Sequence, residues 1–229
     1  MTTTDSSFRP FSDTSVDPPV RGFLTHPEPV ENGLVLTHGA GGNSRGALLV
    51  ALGTALAADG FAVLRCDLPF RQDRSYGPPR PGDATRDREG LKNAVRALRQ
   101  LGTARVFLGG QSYGGRQATM LAADEPGLAE GLLLLSYPLH PPGRSDRPRT
   151  EHLPRLTIPA LFVHGTRDPF GSIEEMEAAL KLIPGKTSLL TVEGVGHDLG
   201  FKGKQRLDEL PAAIRENLLK FFGLLPVAA

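Results

Sequence analysis

A serine, an acid and a histidine can carry out acyl transfer when a fold brings them together, and Ser112, Asp168 and His197 follow one another in that order along this chain. Ser112 lies in Gly110-Gln111-Ser112-Tyr113-Gly114, a G-x-S-x-G pattern. The apolar run Val106-Phe107-Leu108 leads into it, and a helix-forming stretch over residues 116–123 follows. A sharp turn here lifts the serine hydroxyl out of a sheet. Side chains two residues to either side would clash as the chain folds back, and Gly110 and Gly114 remove them. A helix N-terminus beneath the serine also favours negative charge. A free hydroxyl is a weak nucleophile, so His197 is assigned to take its proton and later return it to the leaving group. Asp168 is assigned to hold the His197 tautomer and to stabilise the imidazolium. The tetrahedral oxyanion needs donors already in place. Those expected are the backbone N–H of Tyr113 and that of Ala40, within His38-Gly39-Ala40-Gly41-Gly42.

Each assignment has a plainer alternative. Short G-x-S-x-G matches also occur as strand–helix turns with no chemistry. His197, in Gly194-Val195-Gly196-His197-Asp198, reads alternatively as a surface-loop histidine, and Asp168 as a cap for a following helix or a partner of Arg167. The rival acids are Asp198, too close in sequence to aim at the His197 ring, and Asp67, after a different strand. His38 and His164 each end a strand before a glycine and are read as structural. His26, His140 and His152 carry no pattern. Tyr137 and His140 leave a strand end beside the elbow and are expected to line the substrate pocket. Arg71 is expected either to meet a polar or acidic substrate group or to pair at the surface with Asp73.

The elements that must position these residues alternate between strand and helix. Apolar runs over residues 33–37, 61–66, 106–110, 131–136, 160–164 and 188–192 read as strands. Helices are expected over 44–58, 83–101, from 116, from 172 to 183 behind a Ser172–Glu175 capping box, and over 205–222. Residues 67–82, 137–159 and 193–203 read as loops. Residues 1–20 are polar and proline-bearing and read as a flexible arm ahead of a single domain over 21–229. The strands are continuously apolar rather than alternating, which requires cover on both faces. The expectation is a three-layer α/β fold with a mostly parallel sheet. Residues 137–159 are too short and proline-rich for a helical cap domain. The four candidate groups all fall on loops leaving strand ends, where such sheets place their sites.

At 229 residues the chain has length for one domain with a sizeable core. Its 26 Lys+Arg against 25 Asp+Glu give no basic surplus that would point to nucleic acid or a membrane surface as partner. Neither a secretory leader nor a membrane span is visible, and a cytoplasmic protein is expected. The single cysteine, Cys66, ends an apolar run and reads as a buried structural thiol, which leaves zinc unexpected. Gly39-Ala40-Gly41-Gly42-Asn43-Ser44, with Asp67 ending the next strand, partly matches a dinucleotide-binding fingerprint. Ser44 replaces its third glycine, and that reading leaves Ser112, Asp168 and His197 unexplained.

From about residue 33 to 222 the chain resembles the α/β-hydrolase superfamily, and more narrowly its compact dienelactone-hydrolase-like members. Within these it is similar to the branch related to the hydrolase-like domain of the third subunit of the NSL chromatin complex. The likeness is carried by Leu36-Thr37-His38-Gly39-Ala40, Phe107-Leu108-Gly109-Gly110-Gln111-Ser112, Ser136-Tyr137-Pro138-Leu139-His140-Pro141 and Leu161-Phe162-Val163-His164-Gly165. The resemblance implies no cofactor and no established substrate. Dienelactone hydrolases proper use a cysteine nucleophile; Ser112 departs from this, so their activity is not implied. The resulting expectation is a serine hydrolase acting on a small-molecule acyl ester. A second reading is a hydrolase-like fold used as a non-catalytic interaction module, against which the complete residue set argues.

Overall fold

The computed structural model describes residues 8–26, 30–201 and 208–225. An eight-stranded sheet carries the molecule: β1 (Arg9–Asp13), β2 (Val20–Thr25), β3 (Asn32–Thr37), β4 (Ala62–Asp67), β5 (Arg105–Gln111), β6 (Leu132–Leu135), β7 (Ala160–Gly165) and β8 (Thr187–Val192). The spatial order is β1-β2-β4-β3-β5-β6-β7-β8. From β4 to β8 all neighbours are parallel, while β1 and β2 are antiparallel additions at one edge. The helices are α1 (Ala47–Ala57), α2 (Pro69–Asp73), α3 (Asp83–Gln100), α4 (Tyr113–Asp124), α5 (Ile173–Leu180) and α6 (Leu210–Phe221).

Both faces of β3, β4, β5, β6 and β7 are buried, as their apolar runs require, while the edge strand β8 is mostly half-buried. Leu34 and Leu36 of β3 pack beneath Leu49 and Leu52 of α1 and Ile214 and Leu218 of α6. Val35, between them, faces the opposite cluster with Leu91, Val95 and Leu98 of α3 and Leu121 of α4. This alternation follows from the two-residue period of a strand and makes the three layers. Cys66 sits in the core; burial, with Asp67 beside it, pushes its thiol up to about 12, which fits an inert structural residue.

Two local expectations need correction. Residues 9–13, placed in a flexible arm, form β1, paired with β2 from Arg9 opposite Leu24 to Asp13 opposite Val20. This edge strand is mostly exposed and carries little apolar signal, but Phe11 packs on the core and the Arg65 guanidinium lies 4.3 Å over the Phe8 ring. Residues 67–82, read as loop, contain α2. Pro69 opens that helix, where its missing N–H costs nothing, and the Phe70 N–H donates to Asp87 Oδ1 at 3.0 Å. The closing helix begins at Leu210; the predicted start at 205 lies outside the described residues. The Ser172–Glu175 capping box forms with both of its hydrogen bonds. Residues 137–159 hold only a single 3₁₀ turn, Leu153–Arg155, so no large cap covers the sheet. Among the described residues no helix is long and apolar enough to cross a membrane.

Candidate active site

The chain runs from β3 outward to β4, then crosses to β5 on the other side of β3. The carboxyl ends of β3 and β5 therefore flank a topological switch point, where open α/β sheets leave a crevice. The His38–Gly42 turn leaves β3 there, and Ser112 leaves β5.

Ser112 has φ 51° and ψ −116°, a left-handed conformation that a side chain adopts only under strain. Its surroundings enforce it. A Cβ at Gly110 would lie 2.6 Å from the Gly115 nitrogen, as anticipated for the folding-back of strand into helix. A Cβ at Gly114 would meet something else: the His38 carbonyl oxygen, at 2.5 Å. The elbow is thus pressed against the β3 turn as well as against itself. Gly114→Ala should displace one of these backbones at a cost of about 1–3 kcal/mol. Calorimetry should show the melting temperature falling by several degrees, and a melting temperature equal to the wild type would contradict the contact.

His197 Nε2 lies 2.7 Å from Ser112 Oγ, and His197 Nδ1 lies 2.8 Å from Asp168 Oδ2 and 3.0 Å from Oδ1. Asp168, on the loop after β7, is buried, and its Oδ1 also accepts the Phe170 N–H at 2.9 Å. With Nδ1–H donated to a carboxylate, Nε2 is left as the acceptor for the serine proton. Phe170 stacks on the imidazole, with centroids 4.1 Å apart and planes 28° from parallel, and holds its plane. His164 lies beneath, its Nε2–H donating to the Gly171 carbonyl at 2.9 Å. Burial lowers the His164 pKa, so it stays neutral and leaves the Asp168 charge to His197.

The turn after β3 comes close to Ser112: a Cβ on Gly39 would lie 3.2 Å from Ser112 Cβ. Tyr113 is the first residue of α4, so its N–H is among those with no carbonyl one turn back in the helix. His38 does the structural work expected of it. Its Nε2 accepts the Leu68 N–H at 3.1 Å, so Nδ1 carries the proton and donates to the Gly39 carbonyl at 2.8 Å. Burial lowers its pKa and keeps it neutral. Asp67, the acid of the dinucleotide alternative, accepts the Ser44 N–H at 2.6 Å and so fastens the same loop.

A cleft of about 560 Å³ opens beside Ser112 and His197, walled by Gly39–Asn43, Leu48, Gln111, Phe170 and Phe201. Three expected pocket residues are not on its walls. Tyr137 is buried among core side chains, its hydroxyl donating to the Arg149 carbonyl at 2.9 Å. His140 bonds Glu175 at 3.1 Å and borders a separate hollow of about 280 Å³ with Leu139 and Ala179. Arg71 is only 7% exposed and bonds backbone carbonyls, neither substrate space nor Asp73. Phe170 and Phe201 line the cleft without having been singled out; lone aromatics in loops carry no periodic signal. Among the described residues no group of three His, Cys, Asp or Glu side chains is placed to hold a metal ion.

The sheet order, the elbow and the absence of a cap define the compact α/β-hydrolase fold. Residues 30–218 match the family model described as an alpha/beta hydrolase domain, and the chain belongs to that family. Solved structures agree in fold. Dienelactone hydrolase from Anabaena variabilis superposes with a TM-score of 0.73 at 19% identity, covering 94% of this chain and 98% of that one. Est1E from Butyrivibrio proteoclasticus gives 0.71 at 20% identity over 94% and 99%. A serine hydrolase without a lid from Xanthomonas campestris gives 0.70 at 18% identity over 97% of each chain.

Proposed function

We propose that this protein is a serine hydrolase that cleaves a small or medium carboxylic ester through an acyl-enzyme on Ser112. The observation that carries the reading is the unbroken relay Ser112–His197–Asp168, with hydrogen bonds of 2.7 and 2.8 Å, at the edge of an open cleft. Ser112 Oγ attacks the ester carbon as His197 Nε2 takes its proton. The carbonyl oxygen becomes an oxyanion, held by the Ala40 and Tyr113 N–H groups. Collapse expels the alcohol, which takes the proton from His197. Water then attacks the acyl-enzyme with His197 again as base, and the acid leaves with Ser112 regenerated. Asp168, buried and paired to Nδ1, stabilises the imidazolium in both halves. The cleft walls of Leu48, Phe170 and Phe201 supply apolar contact for an acyl or alkoxy chain.

A fluorophosphonate probe should label the folded protein at a single site, and peptide mapping should find the adduct on Ser112. Folded protein that takes up no label would favour the interaction-module reading instead.

A further inference from the structure

Arg71 neither borders the cleft nor pairs with Asp73; the structure gives it a different task. Its Nε donates to the Gly42 carbonyl at 2.8 Å, and its Nη2 to the Ala40 carbonyl at 2.8 Å and the Gly77 carbonyl at 2.9 Å. Its Nη1 donates to the Arg74 carbonyl at 3.2 Å. All four acceptors are neutral carbonyls, two of them in the glycine-rich turn beside Ser112. We propose that Arg71 is the positioning residue of the oxyanion hole, clamping the 39–42 turn so that the Ala40 N–H is aimed at the substrate oxygen. The inference rests on the serine-hydrolase reading above.

The turn has few other restraints. The Gly39 carbonyl accepts the Gly42 N–H at 3.0 Å and His38 Nδ1 at 2.8 Å. A trans peptide puts N–H and C=O on opposite sides, so the plane that carries the Ala40 N–H keeps its aim only while the Gly42 N–H stays on the Gly39 carbonyl, and Gly42 is itself held through its carbonyl by Arg71. The next peptides contain glycines at 41 and 42, which allow many conformations. The two carbonyls that would swing with them, those of Ala40 and Gly42, are the two Arg71 holds. A planar guanidinium can bond both at once, because its donors diverge in a fixed fork. Its charge, left among neutral acceptors in a buried setting, also favours an anion one peptide away.

Arg71 is itself fixed to the elbow. Its helix, α2, is pinned by the Phe70 N–H on Asp87 Oδ1 at 3.0 Å, and the other oxygen of that carboxylate accepts Tyr113 Oη–H at 2.7 Å. The Phe70 ring packs edge-on against both His38 and Tyr113, with centroids 5.7 Å away in each case. One buried acid therefore touches the segment that carries Arg71 and the residue that follows the nucleophile. The two donors of the oxyanion hole come from separate elements, the turn after β3 and the start of α4, and the Arg71–α2–Asp87–Tyr113 chain sets their separation.

The test uses the full chain and three proteins: wild type, Arg71→Met, which keeps length but no donors, and Arg71→Lys, which keeps charge but loses the fork. On p-nitrophenyl butyrate, Arg71→Met should lose about 10²–10³ in kcat with KM within a few fold, the loss typical of one oxyanion donor. The inhibition constant of phenylboronic acid, whose adduct on serine is tetrahedral, should rise in parallel. Arg71→Lys should recover part of both, remaining about tenfold below wild type. A folded Arg71→Met with wild-type kcat, or one that loses kcat with boronate affinity intact, overturns the proposal. Should Arg71→Met not fold, wild-type kcat and boronate affinity in Arg71→Lys overturn it equally. A wild type that neither turns over ester nor binds boronate would refute the hydrolase reading and this inference with it; an active wild type with indifferent variants refutes the inference alone.

Discussion

Ser112→Ala is expected to abolish fluorophosphonate labelling and to lower kcat on a short-chain aryl ester by about 10⁶, the scale seen when a serine nucleophile is removed elsewhere. The substitution deletes the Oγ that the proposed mechanism uses to form the acyl bond, the atom that lies 2.7 Å from His197 Nε2. The proposed oxyanion donors and the cleft remain, so turnover above the uncatalysed rate should persist at a low level. The backbone strain also remains, because alanine has a Cβ like serine and gains nothing at φ 51°. The melting temperature should therefore change little, by no more than the loss of one hydrogen bond worth about 1 kcal/mol. The measurement is steady-state kinetics on both proteins, with active sites counted by burst titration. A variant retaining more than a small fraction of wild-type turnover would transfer the chemistry to another residue.

Asp168→Asn should cost about 10⁴ in kcat with little change in KM. The reason lies in proton placement rather than in lost packing, since Asn and Asp have nearly the same shape. Asp168 Oδ1 accepts the Phe170 N–H, so an asparagine would keep its oxygen there. Its NH₂ would then face His197 Nδ1, now 2.8 Å from Oδ2. Two donors cannot share that contact, so Nδ1 would give up its hydrogen and Nε2 would carry it instead. The imidazole would then donate to Ser112 where it must accept. Raising the pH should not restore the rate, because the tautomer and not the charge is at fault. A loss of less than tenfold, with the protein folded, would show that Asp168 is not the group that orients His197.

Much of the architecture can be read from pattern alone because it follows from burial. Parallel strands inside the sheet must be mostly apolar on both faces, and mostly apolar runs mark them, with β8 at the edge carrying Ser188 and Thr191. The turn chemistry of Gly110 and Gly114, and the Ser172–Glu175 box, are local signals with a steric or hydrogen-bonding cause. The chain order of Ser112, Asp168 and His197 then points to one rim, and there the distances bring the three together. What escaped had no periodic signature. β1 is held by pairing to β2 and by cation–π contact of Arg65, neither of which its own five residues reveal. α2 spans only five residues and depends on Asp87, a partner in another helix. Arg71, Tyr137 and His140 sit next to the rim in sequence, but the direction of a side chain leaving a strand end is decided by tertiary contacts. Arg71 points back beneath the turn, and Tyr137 goes down into the core.

The left-handed backbone at Ser112 carries an evolutionary implication. Glycine tolerates that conformation freely, so the fold itself would be more durable with glycine at this place. Selection for heat resistance alone would drift toward a sturdy, inert descendant. A lineage that keeps serine there is therefore yielding some robustness continuously, as the proposed chemistry would require.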